Sequence, residues 1–136
     1  MRNLIIIILL APTFIFSQNK KEEKRATMSA NTWLTQIDNG NYLVSWDSAG
    51  KYFQNQVQKD RWSAALTASR RPLGKLISKR KLNSSEYKTE LPGAPDGKYY
   101  VFTFNVSYEK KNSAVETVTL IQDSEGAWKV VGFYIK

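Results

Sequence analysis

Glu116 stands on the apolar side of a strand-like run, in step with Val118 and Leu120. A carboxylate there needs a partner, because burying it unpaired is prohibitively unfavourable. Arg80 and Arg71 are the cations the chain can offer it. Arg80 alternates in step with Leu76 and Leu82, so its side chain is expected to turn away from water. Two readings are open. Arg71, Arg80 and Glu116 could line a pocket for an anionic ligand, since the planar guanidinium fork matches carboxylates and phosphates. Or Glu116 and an arginine could form an ion pair that closes one end of a sheet, which is the favoured reading.

A second grouping is basic. Arg70, Arg71, Lys75, Lys79 and Arg80 belong to a run from Lys59 to Lys81 in which only Asp60 is acidic. It reads as an anion patch, or as an edge strand whose lysines discourage strand addition. Lys75 and Lys79 suit the edge reading; Arg80 suits it less.

The chain has no histidine and no cysteine. That excludes histidine-dependent triads, zinc sites built on histidine or cysteine, and disulfides. No glycine-rich phosphate loop is present. Glu116 and Asp96 show no spacing that favours paired acid–base work. A non-enzymatic protein with no cofactor and no metal is expected.

These residues must be positioned by the elements around them. Met1-Arg2-Asn3 followed by the apolar run Leu4–Phe16 reads as a signal peptide over residues 1–17. The run is short of the ~20 residues of a spanning helix, so no stable membrane span is expected after cleavage. Residues 18–28 lack large apolar side chains apart from Met28 and read as a disordered polar tail. Residues 29–136 then form one domain, with Ser29 as an N-cap. Trp33, Leu34 and Ile37 mark a first helix, which Gly40 ends. A second helix follows Asn41 and is bent or divided at Gly50. A third runs from Lys59-Asp60 to Arg70-Arg71 and stops at Pro72.

A first strand is predicted from Lys75 to Leu82, with extension towards Thr89. The turn Leu91–Gly97, with two prolines and two glycines, is a rigid corner. Three runs follow: Tyr99–Tyr108, Val115–Gln122 and Trp128–Ile135. Strict alternation puts Val131, Phe133 and Ile135 on one side of the last, and Trp128, Val130 and Tyr134 on the other. The prediction is an α+β domain, about three N-terminal helices packed on a four-stranded antiparallel curved sheet. Both sides of strands two to four carry apolar residues. The outer side, including Tyr99 and Val101, is therefore expected to meet a second copy or an envelope protein. The four tryptophans read as core anchors rather than a sugar-stacking platform.

The formal net charge is +8. With a signal peptide, this describes a basic protein in the periplasm or outside the cell. Anionic envelope polymers are then candidate partners, and nucleic acid is not.

The motifs Trp33-Leu-x-x-Ile-Asp-x-Gly-x-Tyr-x-x-Ser-Trp46, Arg70-Arg-Pro-Leu-Gly74, Leu91-Pro-Gly-Ala-Pro-Asp-Gly-x-Tyr99, Glu116-Thr-Val-Thr-Leu120 and Gly126-x-Trp128-x-Val-x-Gly-Phe-Tyr-Ile135, with Trp62 and Arg80 between them, resemble the bacterial domain of unknown function 4019 family. The resemblance implies an exported protein with no established activity and supplies no catalytic residues. The helices-then-meander order is also similar to the cystatin-like and nuclear transport factor 2-like folds, which often form a pocket. Fold likeness alone carries no function.

Overall fold

The computed structural model describes the backbone of residues 13–136 and the side chains from Gln18 onward. The signal-peptide reading of residues 1–17 lies outside these, apart from the helical backbone of Thr13–Ser17.

The described residues begin with helix α1, Thr13–Asp38. This corrects the expectation of a disordered tail over residues 18–28 and of an N-cap at Ser29. The segment has little apolar surface of its own, but the sheet offers it a seat. Ala26 is buried and continues the stripe of Ala30, Trp33, Leu34 and Ile37 at helical spacing. Polar contacts hold the earlier turns: the Tyr100 hydroxyl donates to the Asn19 carbonyl at 3.2 Å, and the Trp128 indole to Glu22 at 2.9 Å. Such distant partners cannot be read from local composition.

Gly40 ends α1 as expected. Its φ is 76°, and its N–H donates to the Ile37 carbonyl while that of Asn41 donates to Gln36. Short helices α2 (Tyr42–Asp47) and α3 (Lys51–Gln56) follow, divided at Gly50. A Cβ at Gly50 would lie 2.9 Å from a Val131 methyl, and the Gly50 N–H donates to the Val130 carbonyl at 2.7 Å. The break is therefore a docking point of backbone on backbone, for which only glycine has room. Helix α4 (Lys59–Ser69) ends where Arg70 caps it, and Arg71–Leu73 form a 3-10 turn.

Four strands make one antiparallel meander in the order β1-β2-β3-β4: β1 (Lys81–Lys88), β2 (Tyr99–Tyr108), β3 (Lys111–Gln122) and β4 (Trp128–Ile135). The first begins later than predicted. From Lys75 to Arg80 the chain only tethers itself to β2, through a bridge of Leu76 with Tyr108 and the Ile77 N–H to the Ser107 carbonyl. The Ser78 hydroxyl accepts from the Ser107 N–H, so a side chain stands where a ladder carbonyl would.

The helices cover one face of the sheet. Phe102, Phe104, Val106, Val118 and Leu120 point into it and are buried. A bulge corrects the predicted alternation in β4: Gly132 pairs with Thr119 but Val130 with Leu120, leaving Val131 as the extra residue. Trp128 and Val130 thus join Phe133 and Ile135 towards the helices. The tryptophans serve as anchors. Trp33 donates to the Ser45 carbonyl, Trp62 to the Ser45 hydroxyl and Trp46 to the Val57 carbonyl, at 2.7–2.9 Å.

On the other face, no helix among the described residues covers Val101, Thr103, Thr117 and Thr119, which are half-buried. Tyr99 does not belong to that open surface, which is a further correction. It is fully buried because the Leu91–Gly97 corner folds back and the Pro95 carbonyl accepts from its hydroxyl.

Candidate functional site

The interior holds one cluster of charge, assembled from four parts of the chain. Glu116 comes from the inward face of β3 and is 0% exposed. Arg80 comes from the segment just before β1. Asp38 is the last residue of α1, and Arg70 caps α4. Tyr108 ends β2, and Ala114, a small buried residue, sits between it and Glu116 in the register.

Arg80 is the centre. Its Nε donates to Glu116 Oε2 at 2.5 Å and its Nη2 to Glu116 Oε1 at 3.0 Å. Nη1 and Nη2 also donate to the two oxygens of Asp38, at 2.7 and 2.8 Å. One guanidinium thus forks onto two carboxylates, the geometry in which arginine binds best. Burial by itself depresses the Arg80 pKa, but hydrogen bonds to Asp38 and Glu116, reinforced by their charges, raise it above its ordinary value. The Tyr108 hydroxyl donates to Glu116 Oε1. Burial first, then the Glu116 charge, raises the pKa of that phenol far above normal, so it remains a neutral donor.

Arg70 closes the other side. Its guanidinium lies 4.4 Å from the Tyr108 ring centroid, donates to the Gly74 carbonyl at 2.5 Å and reaches Asp38 at 3.3 Å. Arg70 is 3% exposed, and its Nε has no partner.

The chemistry follows from this geometry. Two carboxylates face two guanidiniums, so the cluster balances its charge. Each carboxylate already accepts bonds on both oxygens, and the phenol is committed to one of them. Among the described residues no group of three or more acidic side chains converges as a metal site.

The sequence-derived candidates divide accordingly. Arg80 and Glu116 meet, as an ion pair within the fold. Arg70 joins them from inside, not as part of an exposed anion patch. Arg71 does not join: it is exposed in the 3-10 turn, its guanidinium 5.6 Å from the Tyr42 ring centroid. Lys75 and Lys79 point to solvent. The Lys75 backbone N–H is held at 2.6 Å by Glu109, while Lys79, Lys81, Asn105 and Ser107 line an open groove. Asp38 and Tyr108 were missed. Asp38 has the signal of standing four residues after Leu34, on the buried stripe of α1, but reads as part of the Asp38-Asn39-Gly40 break. Tyr108 reads as one more aromatic on the apolar side of β2.

The helices-then-meander order and this internal cluster define an open-sheet α+β protein with a closed polar core. Residues 29–133 match the family described as "Protein of unknown function (DUF4019)", and the chain belongs to that family. No curated protein matches the chain.

Proposed function

We propose that the chain is a non-enzymatic interaction module of the bacterial envelope, exported and processed, which pairs with a second copy of itself through the uncovered sheet face. The observation that supports this most is the middle of that face. Val101, Thr103, Thr117 and Thr119 are cross-strand neighbours, uncharged, and without a covering helix among the described residues. In a chain of net charge +8, an uncharged patch is where a like-charged copy can approach without repulsion. The whole face, uncharged in the middle and charged on its flanks at Glu86, Lys88 and Lys129, is four strands at ~4.8 Å spacing and ~8 residues in length, or roughly 500 Å² per copy and about 1,000 Å² in total. That suits a weak, reversible dimer. The non-catalytic part of the reading rests on the internal pairing of Asp38, Glu116, Arg70 and Arg80.

The test is sedimentation equilibrium of the protein recovered from the envelope fraction, with Thr117→Arg as comparison. A concentration-dependent dimer lost in T117R is expected. A wild-type monomer at every concentration, or a dimer indifferent to the arginine, sinks the proposal.

Electrostatic association with envelope polyanions is a second reading, favoured by the groove beside Lys79 and Lys81. Arg70 and Arg80 are internally paired, so Arg71, Lys75, Lys79 and Lys81 carry it. It predicts retention on a polyanionic resin that collapses as salt shortens the Debye length. Retention unchanged by K79E/K81E would remove it.

A further inference from the structure

The sheet has two edges, and they are treated differently. On β1, Lys81, Glu86 and Lys88 are charged, and a bulge at Asn83 interrupts the register. These features block strand addition. On β4 the blocking is partial. Val115 and Lys136 exchange both backbone hydrogen bonds, at 2.9 Å, which sets the phase of the β3–β4 ladder. Tyr134 and Gly132 then face β3, while the N–H and C=O groups of Phe133 and Ile135 point away from it. On the same outward side the Val130 carbonyl is taken by the Gly50 N–H. Beyond that point, among the described residues, no hydrogen-bond partner meets the outward groups of Phe133 or Ile135. This stretch has no charge, no proline and no bulge after Gly132.

An apolar groove of about 370 Å³ runs beside this open edge. Trp62, Leu66 and Leu73 form one wall, Phe133 and Ile135 the other, and Lys111 stands at the rim. Strand geometry defines what would fit. Residues paired with Phe133 and Ile135 by backbone hydrogen bonds would turn their side chains to the same face as those two, into the groove. Residues between them would face the opposite way. The cations Lys111 and Lys136 both stand at the Ile135 end of this edge.

We propose that the Gly132–Ile135 edge of β4 takes a fifth strand from another protein: an extended segment with apolar residues at alternate positions and acidic residues at the end that meets Ile135. Backbone bonding supplies affinity and the groove supplies specificity, as in other strand-addition complexes. A second copy of this chain is a poor occupant. Its own β4 has Phe133 and Ile135 already packed against its helices, and it would bring further lysines to a basic rim.

The probe is a short end-blocked peptide of alternating valine and threonine with glutamates at one end, titrated into the full protein by NMR with amide exchange. The Phe133 and Ile135 amides are expected to become protected while those of β1 stay unchanged. Ala65→Trp fills the groove from an exposed helical position and should weaken binding by about tenfold or more. Lys111→Glu should weaken it less, and swapping the glutamates for lysines should restore it. T117R should leave the peptide's affinity intact, which separates this edge from the sheet face. No binding of the peptide, or protection elsewhere than Phe133 and Ile135, overturns the proposal. So does affinity unmoved by A65W.

Discussion

Helix α1 carries two carboxylates that both reach across to the rest of the fold, Glu22 in its N-terminal half and Asp38 at its C-terminal end. Glu22 accepts from the Trp128 indole at 2.9 Å, the Gln122 amide at 3.0 Å and Arg25 at 2.8 Å. Asp38 accepts two bonds from Arg80 and one from Arg70. Their surroundings set them apart. The Glu22 side chain is 26% exposed, so water can replace any partner it loses. Asp38 is 16% exposed, and behind it lie Arg70 at 3% and Glu116 at 0%. Removing a partner there leaves a charge that water cannot reach. Similar bonds from one helix therefore have different consequences, decided by what lies behind them rather than by their lengths.

The largest expected effect is at the buried end. Arg80→Met strands Glu116 and should cost about 3–5 kcal/mol in urea unfolding. Replacing Glu116 by Gln in the same chain should recover a large part of that loss, because the stranded charge is gone. Additive losses would mean that the pair is not coupled, and the contrast between the two ends would fail.

Deleting residues 18–25 comes next. A free tail would be removed without effect. Packed early turns of α1 lose the Glu22 and Asn19 contacts with Trp128 and Tyr100, for which roughly 1–3 kcal/mol is expected. Unchanged unfolding midpoints would restore the tail reading.

Tyr108→Phe removes one donor to Glu116 and leaves the ring under Arg70. About 1–2 kcal/mol should be lost at neutral pH. The pH dependence has a definite sign. The folded phenol holds its proton above the ordinary value of 10.0, while the unfolded phenol releases it there. Wild-type stability should thus be fully present below pH 10.0 and fall as pH rises further, less steeply in Y108F, as thermal unfolding would show.

The smallest effect is at the exposed end. Glu22→Gln should change stability by less than about 1 kcal/mol. The Trp128 hydrogen bond, followed by Arg25, outweighs burial and holds the Glu22 carboxyl below its ordinary 4.5. That contribution is present above pH 4.5 and disappears as pH falls through the lowered value. Melting curves across acid pH should therefore be flatter in E22Q. A cost like that of Arg80→Met would erase the difference between the two ends.

Much of this could be read from residue order alone. Alternation placed the three long strands and put Glu116 inward, because side chains on a strand must take turns. Gly40 and Pro72 marked helix ends through the backbone conformations they allow or forbid. That Glu116 would meet an arginine followed from the rule that a buried carboxylate needs a cation; the choice of Arg80 over Arg71 came from the fold. What residue order left open depended on distant partners. The turns of α1 around Asn19 and Glu22 are held by Tyr100 and Trp128, far along the chain. The inward turn of Trp128 comes from a bulge at Val131, and alternation cannot announce a skipped position. Tyr99 is buried by a corner that only tertiary folding brings back over it. Asp38 became a second carboxylate for Arg80 because the end of α1 packs beside β3, a juxtaposition decided by the close packing of helices on the sheet.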